Sequence, residues 1–265
     1  MARINTVFIV RHGIRQDFLT PDFTSPTGLP HDPPLANSGH DQAQDLADHL
    51  IQIGPNIKYI VSSPFSRCLQ TIQPYAQRTG LKVKIETGIA EWFNAWGKEP
   101  TEPPPHPHPD LTDIKRLFPG IVDETYQPVY PESTKWESKD EVHARFGEVL
   151  ERLIPHIESI ASSDVGKGSN GITNNEETGD LLIVTHAAGM IAAVRALLGE
   201  RRKDVNCGVA SVAKLTRTDG EGSAVLASWI RELDGDTRHL KDGAQYNWKF
   251  WEDRLVDKDE DEPSI

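Results

Sequence analysis

Two histidines stand just past two apolar runs in this chain, each with a glycine within the next three positions. Val7-Phe8-Ile9-Val10 leads into Arg11-His12-Gly13, and Leu181-Leu182-Ile183-Val184 leads into Thr185-His186-Ala187-Ala188-Gly189. An unbroken apolar run is what a strand buried on both faces requires, and in open α/β sheets ligands bind at the carboxyl ends of such strands. A histidine at that edge can act as a nucleophile, and an arginine beside it can hold a phosphoryl group through a forked pair of hydrogen bonds. Either tripeptide alone is a weak signal. Two of them, each after a strand, can meet at one edge of a parallel sheet.

Arg11, Arg15 and Arg67 can join the histidines. Arg67 falls in Ser62-Ser63-Pro64-Phe65-Ser66-Arg67-Cys68, at the expected start of a helix, where free N–H groups and the helix dipole favour an anion. The sum is a positive pocket in a chain of net charge −12, which suits a phosphate dianion. Two readings of Arg15 stand at this point, a phosphate contact and a surface arginine. His106 and His108 sit between prolines, as in a solvated linker. No clustered His/Cys spacing suggests a metal site, and neither metal nor cofactor is expected. Trp92 and Trp96 either pack an insertion onto the sheet or, with Phe18 and Phe93, line a pocket for an aromatic or bulky organic phosphate.

These residues need a scaffold of alternating strands and helices. The pattern predicts strands over 6–10, 57–62, 81–86, 181–185, 209–215 and 225–230. It predicts helices over 39–53, 65–79, 137–160 and 188–198. Apolar residues recur at helical spacing in Ala43, Leu46, Ala47, Leu50 and Ile51, and in Val142, Phe146, Val149, Leu153 and Ile157. Asn37 or Ser38 is the expected cap of the first helix, Gly80 the end of the second, and 181–185 the central strand. The fold class is α/β: three layers, a mostly parallel sheet flanked by helices.

At 265 residues the chain can bury one large core. We expect a single domain over 1–255, with an irregular insertion at 93–136, a flexible loop at 162–179 and an acidic tail at 256–265. The start of the chain does not read as a leader peptide, and the longest apolar stretch is interrupted by His186 and Arg195, so no membrane association is expected. Cys68 and Cys207, its two cysteines, are expected as buried thiols in a reducing compartment. The negative charge argues against direct binding to nucleic acid.

The motifs together resemble the histidine phosphatase superfamily, the phosphoglycerate-mutase-like phosphatases. The resemblance rests on Arg11-His12-Gly13, on Pro34-Leu35-Ala36-Asn37-Ser38-Gly39-His40-Asp41-Gln42-Ala43, on Ser62-Ser63-Pro64 with Arg67, on Gly88-Ile89-Ala90-Glu91-Trp92, and on Thr185-His186 with Gly189. The segments keep the family's order over roughly residues 5–200. Arg15 and the Glu91-Trp92 pair look most like the branch of the ubiquitin-associated, SH3-containing tyrosine phosphatases and the histidine-phosphatase-like subunit of transcription factor IIIC. What the resemblance implies is a metal-independent phosphomonoester hydrolase. His12 would form a phosphohistidine, and Glu91 would protonate the leaving oxygen. Arg11, Arg67 and His186, with Arg15, would bind the phosphoryl oxygens.

Two alternatives accompany this reading. One is a subunit of a transcription-factor or other protein assembly; the other is a mutase-type phosphotransferase. Phe18 stands where mutases of the family carry asparagine, and Ile14 where an acidic or polar residue is common, which favours a hydrolase. Glu86, Glu99 and Glu102 compete with Glu91 as proton donor. The substrate class is a phosphorylated small molecule or phosphoprotein, and the compartment cytoplasmic, nuclear or both.

Overall fold

The structure is a computed structural model that describes residues 2–94, 108–131, 136–165, 179–218 and 224–250. Strand β1 (Thr6–Arg11) leads through an irregular segment to helix α1 (Asn37–Ile53), strand β2 (Ile57–Ser62), helix α2 (Ser66–Thr79) and strand β3 (Val83–Ile85). Helices α3 (Leu111–Leu117) and α4 (Lys139–Val165) precede strand β4 (Asp180–Thr185) and helix α5 (Ala187–Leu198). Strands β5 (Val212–Arg217) and β6 (Trp229–Asp236) follow. Among the described residues they form one sheet in the order β3-β2-β4-β1-β5-β6.

The four strands from β3 to β1 are mutually parallel, while β5 runs antiparallel to β1, and β6 to β5. Alternate residues of β1 enter opposite layers. Val7 and Ile9 join a core with α4 and α5; Phe8 and Val10 join a core with α1, α2 and α3. Covering both faces explains why β1 and β4 read as apolar runs without polar alternation. The stripe from Val142 to Ile157 on α4 is fully buried. None of the described helices is long and apolar enough to cross a membrane.

Several expectations shift. Neither Asn37 nor Ser38 caps α1; Ala36 precedes the helix with no side-chain cap, because tertiary contact holds this end instead. The Ala36 N–H donates to Ile14 O at 2.8 Å. Ile51 turns outward, 43% exposed. The stretch 93–136 is not wholly irregular, since α3 lies within it, started by the Asp110 carboxylate accepting from Thr112 N. The last two strands begin later than predicted, at 212 and 229. The chain at 207–211 is spent on a loop in which Ala210 takes φ of 52° and donates its N–H to His12 O at 3.1 Å. Both cysteines are free and buried. The expected tail at 256–265 and most of the expected flexible loop lie outside the described residues.

Gly39, in the first turn of α1, shows how tightly α1 packs against the chain after β1. A Cβ there would sit 2.2 Å from Ile14 O. Alanine is about 1 kcal/mol better than glycine inside a helix, whereas overpacking costs roughly 1–3 kcal/mol. With a backbone carbonyl as the obstacle, the steric cost wins. Gly39→Ala is expected to destabilise the fold by about 1–2 kcal/mol, measured by urea unfolding; a more stable variant would show that the contact relaxes freely.

Candidate active site

The β1–β4 register assembles the site. Arg11 lies opposite Thr185, so the next residue on each strand, His12 and His186, emerges at the same level. The His12 N–H donates to Thr185 O at 3.1 Å, and the two rings lie edge to face with centroids 5.4 Å apart. On the other side of β4, Ser62 pairs with Val184, which brings Ser63 Oγ to 2.8 Å from His186 Nε2.

His12 is almost wholly buried, and its Nδ1 lies 2.8 Å from Gly13 O. A carbonyl only accepts, so Nδ1 carries the proton and Nε2 keeps its lone pair. Burial holds the imidazole well below the usual histidine pKa, aided by the charges of Arg67, Arg11 and Arg15. Protonation of His12 would add a cation to a crowd of cations, so it stays neutral at pH 7.

Arg67, from the first turn of α2, is completely buried. Its Nη2 donates to Glu91 Oε2 at 3.2 Å, and its Nη1 approaches Asp32 Oδ1 and His31 O, both at 3.4 Å. Arg11 uses Nη1 on two backbone carbonyls, Cys207 O and Tyr246 O, each at 2.6 Å. The Nε groups of Arg11 and Arg67 are buried with no hydrogen-bond partner, a costly state for a charged donor. Arg15 is turned partly aside. It pairs with Asp17 at 3.0 Å and stacks over Phe18 at 4.4 Å, although its charge still acts on His12 and Glu91.

Glu91 faces this group. Its Oε2 is 3.3 Å from His186 Nδ1, and its Oε1 accepts from Trp92 N at 2.9 Å. Burial pushes the Glu91 carboxyl up, but His186, Arg67 and Arg15 together pull it well below the usual carboxylate range. For His186 burial dominates and lowers the imidazole to about 4, against the opposing pull of Glu91. The site thus holds a carboxylate, two neutral imidazoles and clustered guanidinium groups. His12, Glu91 and His186 each offer a ligand atom within 4.8 Å of the others. A divalent cation there would face Arg11, Arg15 and Arg67, so the surrounding charge favours an anion.

Supporting residues fix Glu91, and spacing alone did not reveal them. Arg145 of α4 is buried and forks onto Glu137 at 2.6 and 2.7 Å. Its Nη1 also donates to Gly88 O and Ala90 O, while Thr185 Oγ1 donates to Ile89 O. These bonds pin the turn that carries Glu91. Glu86 is engaged elsewhere, accepting from Gly88 N, Tyr126 OH, Val129 N and Tyr130 N. Glu99, Glu102, Trp96 and His106 lie outside the described residues. Trp92 is a packing residue: its Nε1 donates to Glu137 O, and its ring lies against Trp248 and Phe250. Phe93 packs against Phe65, whose ring meets His186 edge-on at 5.2 Å. The α2 amino terminus differs from expectation, because Ser66 N donates to the Asp32 carboxylate and is not free for a ligand.

Comparison with known proteins places this geometry. The chain is 29% identical over 281 aligned positions to the transcription factor tau 55 kDa subunit of Saccharomyces cerevisiae, covering 93% of this chain and 59% of that protein. It is 27% identical to the ecdysteroid-phosphate phosphatase of Drosophila melanogaster, covering 77% of this chain and 28% of that one. The chain therefore spans less than two thirds of these relatives' length. The ecdysone phosphate phosphatase of Bombyx mori, solved with tungstate, shares the fold at a TM-score of 0.61 and 18% identity, over 95% of this chain and 99% of that one. Residues 7–230 match the model of the histidine phosphatase superfamily, branch 1, and the chain belongs to that family.

Proposed function

We propose that this chain is a phosphomonoesterase acting through a phosphohistidine on His12. The observation that carries the reading is the Nδ1 contact to Gly13 O, which leaves Nε2 unprotonated within reach of the charges of Arg67, Arg11 and Arg15. In the first step Nε2 forms a bond to phosphorus as the ester P–O bond breaks, and Glu91 passes a proton to the leaving oxygen. In the second, water attacks phosphorus, the N–P bond breaks and the water's proton goes to Glu91. Arg11, Arg67 and His186 meet the charge on the phosphoryl oxygens, with Arg15 adding its field.

Glu91 is ionised in the free site, yet the first step needs its proton. An arriving dianion reconciles the two. It competes for Arg67 and adds negative charge beside the carboxylate, both of which raise the pKa of Glu91. The substrate class we favour is a bulky or aromatic organic phosphate, small molecule or phosphoprotein, since the partly exposed Phe93 ring is held beside the site by the buried Phe65, which meets His186 edge-on. Residues 1–255 are read as one phosphatase domain working in the nucleus, the cytoplasm or both. A second reading, membership of a protein assembly, is favoured by the relative that is a transcription factor subunit; it is compatible with catalysis.

His12→Ala is expected to abolish release of phosphate from p-nitrophenyl phosphate, while wild type treated briefly with labelled substrate carries acid-labile phosphate and works in the presence of a chelator. Turnover near the wild-type level in the alanine variant would remove His12 from the mechanism.

Glu91→Gln is expected to slow alkyl phosphates by on the order of a hundred- to ten-thousand-fold, and p-nitrophenyl phosphate much less, because its phenolate leaves without help. Equal losses for the two leaving groups would assign Glu91 a structural role.

The pH profile follows from the neutral imidazoles. A histidine is protonated below its pKa, so a lowered pKa keeps His12 nucleophilic further into acid. Corrected for the substrate's own ionisation, kcat/KM should not lose activity through a group titrating at 6.5, and its acid limb should lie below that value. A limb at 6.5 or above would show that burial and the neighbouring cations do not suppress protonation.

A further inference from the structure

Asp32 lies in the irregular segment between β1 and α1, and its side chain is fully buried. It accepts from Ser66 N at 3.1 Å, Ser66 Oγ at 2.8 Å and Thr27 Oγ1 at 2.8 Å, and faces Arg67 Nη1 at 3.4 Å. Glu91 takes Nη2 on the opposite side of the same guanidinium, and its side chain is 24% exposed. Arg67 therefore spans two carboxylates, one sealed in the protein and one at the mouth of the site.

We propose that Asp32 is the positioning residue for Arg67, holding the guanidinium aimed at the phosphoryl group while Glu91 releases it to deliver its proton. The inference rests on the phosphatase reading above. When the dianion arrives, the contact of Arg67 with Glu91 must weaken, because Glu91 becomes protonated. A long arginine side chain released on that side would gain rotamer freedom and lose its alignment. Asp32 prevents this, since three further hydrogen bonds from Thr27 and Ser66 fix the carboxylate. Two of these bonds tie it to Ser66, the first residue of α2, directly before Arg67.

Charge and alignment make opposite predictions for this residue, which makes the role testable. By Coulomb's law alone, a buried negative charge near an anion site weakens anion binding, so its removal should tighten it. If Asp32 acts by aligning Arg67, its removal should loosen binding. The experiment is calorimetric titration of inorganic phosphate into wild type, Asp32→Asn and Thr27→Val, with p-nitrophenyl phosphate kinetics alongside. Asparagine retains an acceptor for Ser66 N. Asp32→Asn is expected to weaken phosphate binding about tenfold or more and to lower kcat/KM at least as much. Thr27→Val, which removes one of the three donors that fix the carboxylate but leaves the Arg67 contact, should weaken binding by a clearly smaller factor than Asp32→Asn. An equal loss would place the effect outside the Asp32–Arg67 contact and overturn the proposal. Phosphate binding as tight as wild type, or tighter, in Asp32→Asn overturns the proposal alone. Absence of phosphate binding in wild type overturns the phosphatase reading with it. If Asp32→Asn does not fold, the Thr27→Val/Ser66→Ala double variant removes two donors from the carboxylate; several-fold weaker phosphate binding supports the role, and unchanged binding overturns it.

Discussion

The parallel pairing of β1 with β4 is the constraint on which everything else rests. Because Arg11 stands opposite Thr185, the histidine after each strand is delivered to the same edge at the same height. A slip of one residue would exchange the faces of every side chain on the strand. Val7 and Ile9 would then trade layers with Phe8 and Val10. Fully buried alternating faces therefore make the register, and with it the meeting of the histidines, expensive to change. The register thus couples core packing directly to the chemistry at the sheet edge.

Onto that edge the fold brings buried positive charge. An isolated buried guanidinium is costly, and here Arg67 is balanced by Asp32 and Glu91, while Arg11 relies on two carbonyl oxygens. The balance is incomplete by design of the geometry, since one N–H on each of the two arginines has no acceptor. Burial, aided by these charges, suppresses protonation of His12 and His186. Burial and this electrostatic arrangement thus keep His12 neutral in surroundings that favour an anion.

Glu91 shows how far support extends behind one catalytic candidate. Its turn is held by Arg145, which reaches from α4 and is oriented by Glu137. Glu137 N in turn donates to Phe93 O at 2.8 Å, so the chain returns from the long excursion after Phe93 to the place it left. Glu86, close to Glu91 in sequence, serves the opposite purpose. Its carboxylate gathers four donors and organises the chain at 126–130, which leaves it no part at the site edge.

The order of strands and helices apart from α3, the central place of β4 and the meeting of His12 with His186 were legible in the sequence, because they follow from local pattern. An apolar run marks a strand covered on both faces, a 3.6-residue stripe marks a helix, and a polar residue just past a buried strand has to emerge at its end. Arg67 stands out by its place at the expected start of α2, whereas Glu91 stands out only through the resemblance of its ordered motif to the family, with Glu86, Glu99 and Glu102 as rivals. Pattern could not say that Asp32 would cross to the start of α2, that Arg145 would reach the Glu91 turn, or that Ser63 would touch His186. Nor could it show that Arg15 turns toward Asp17, or that tertiary contact and not a side-chain cap begins α1. Each of these joins groups far apart in the chain, or depends on which way a long side chain turns. Such contacts are set by the packing of whole elements, which only the folded chain decides.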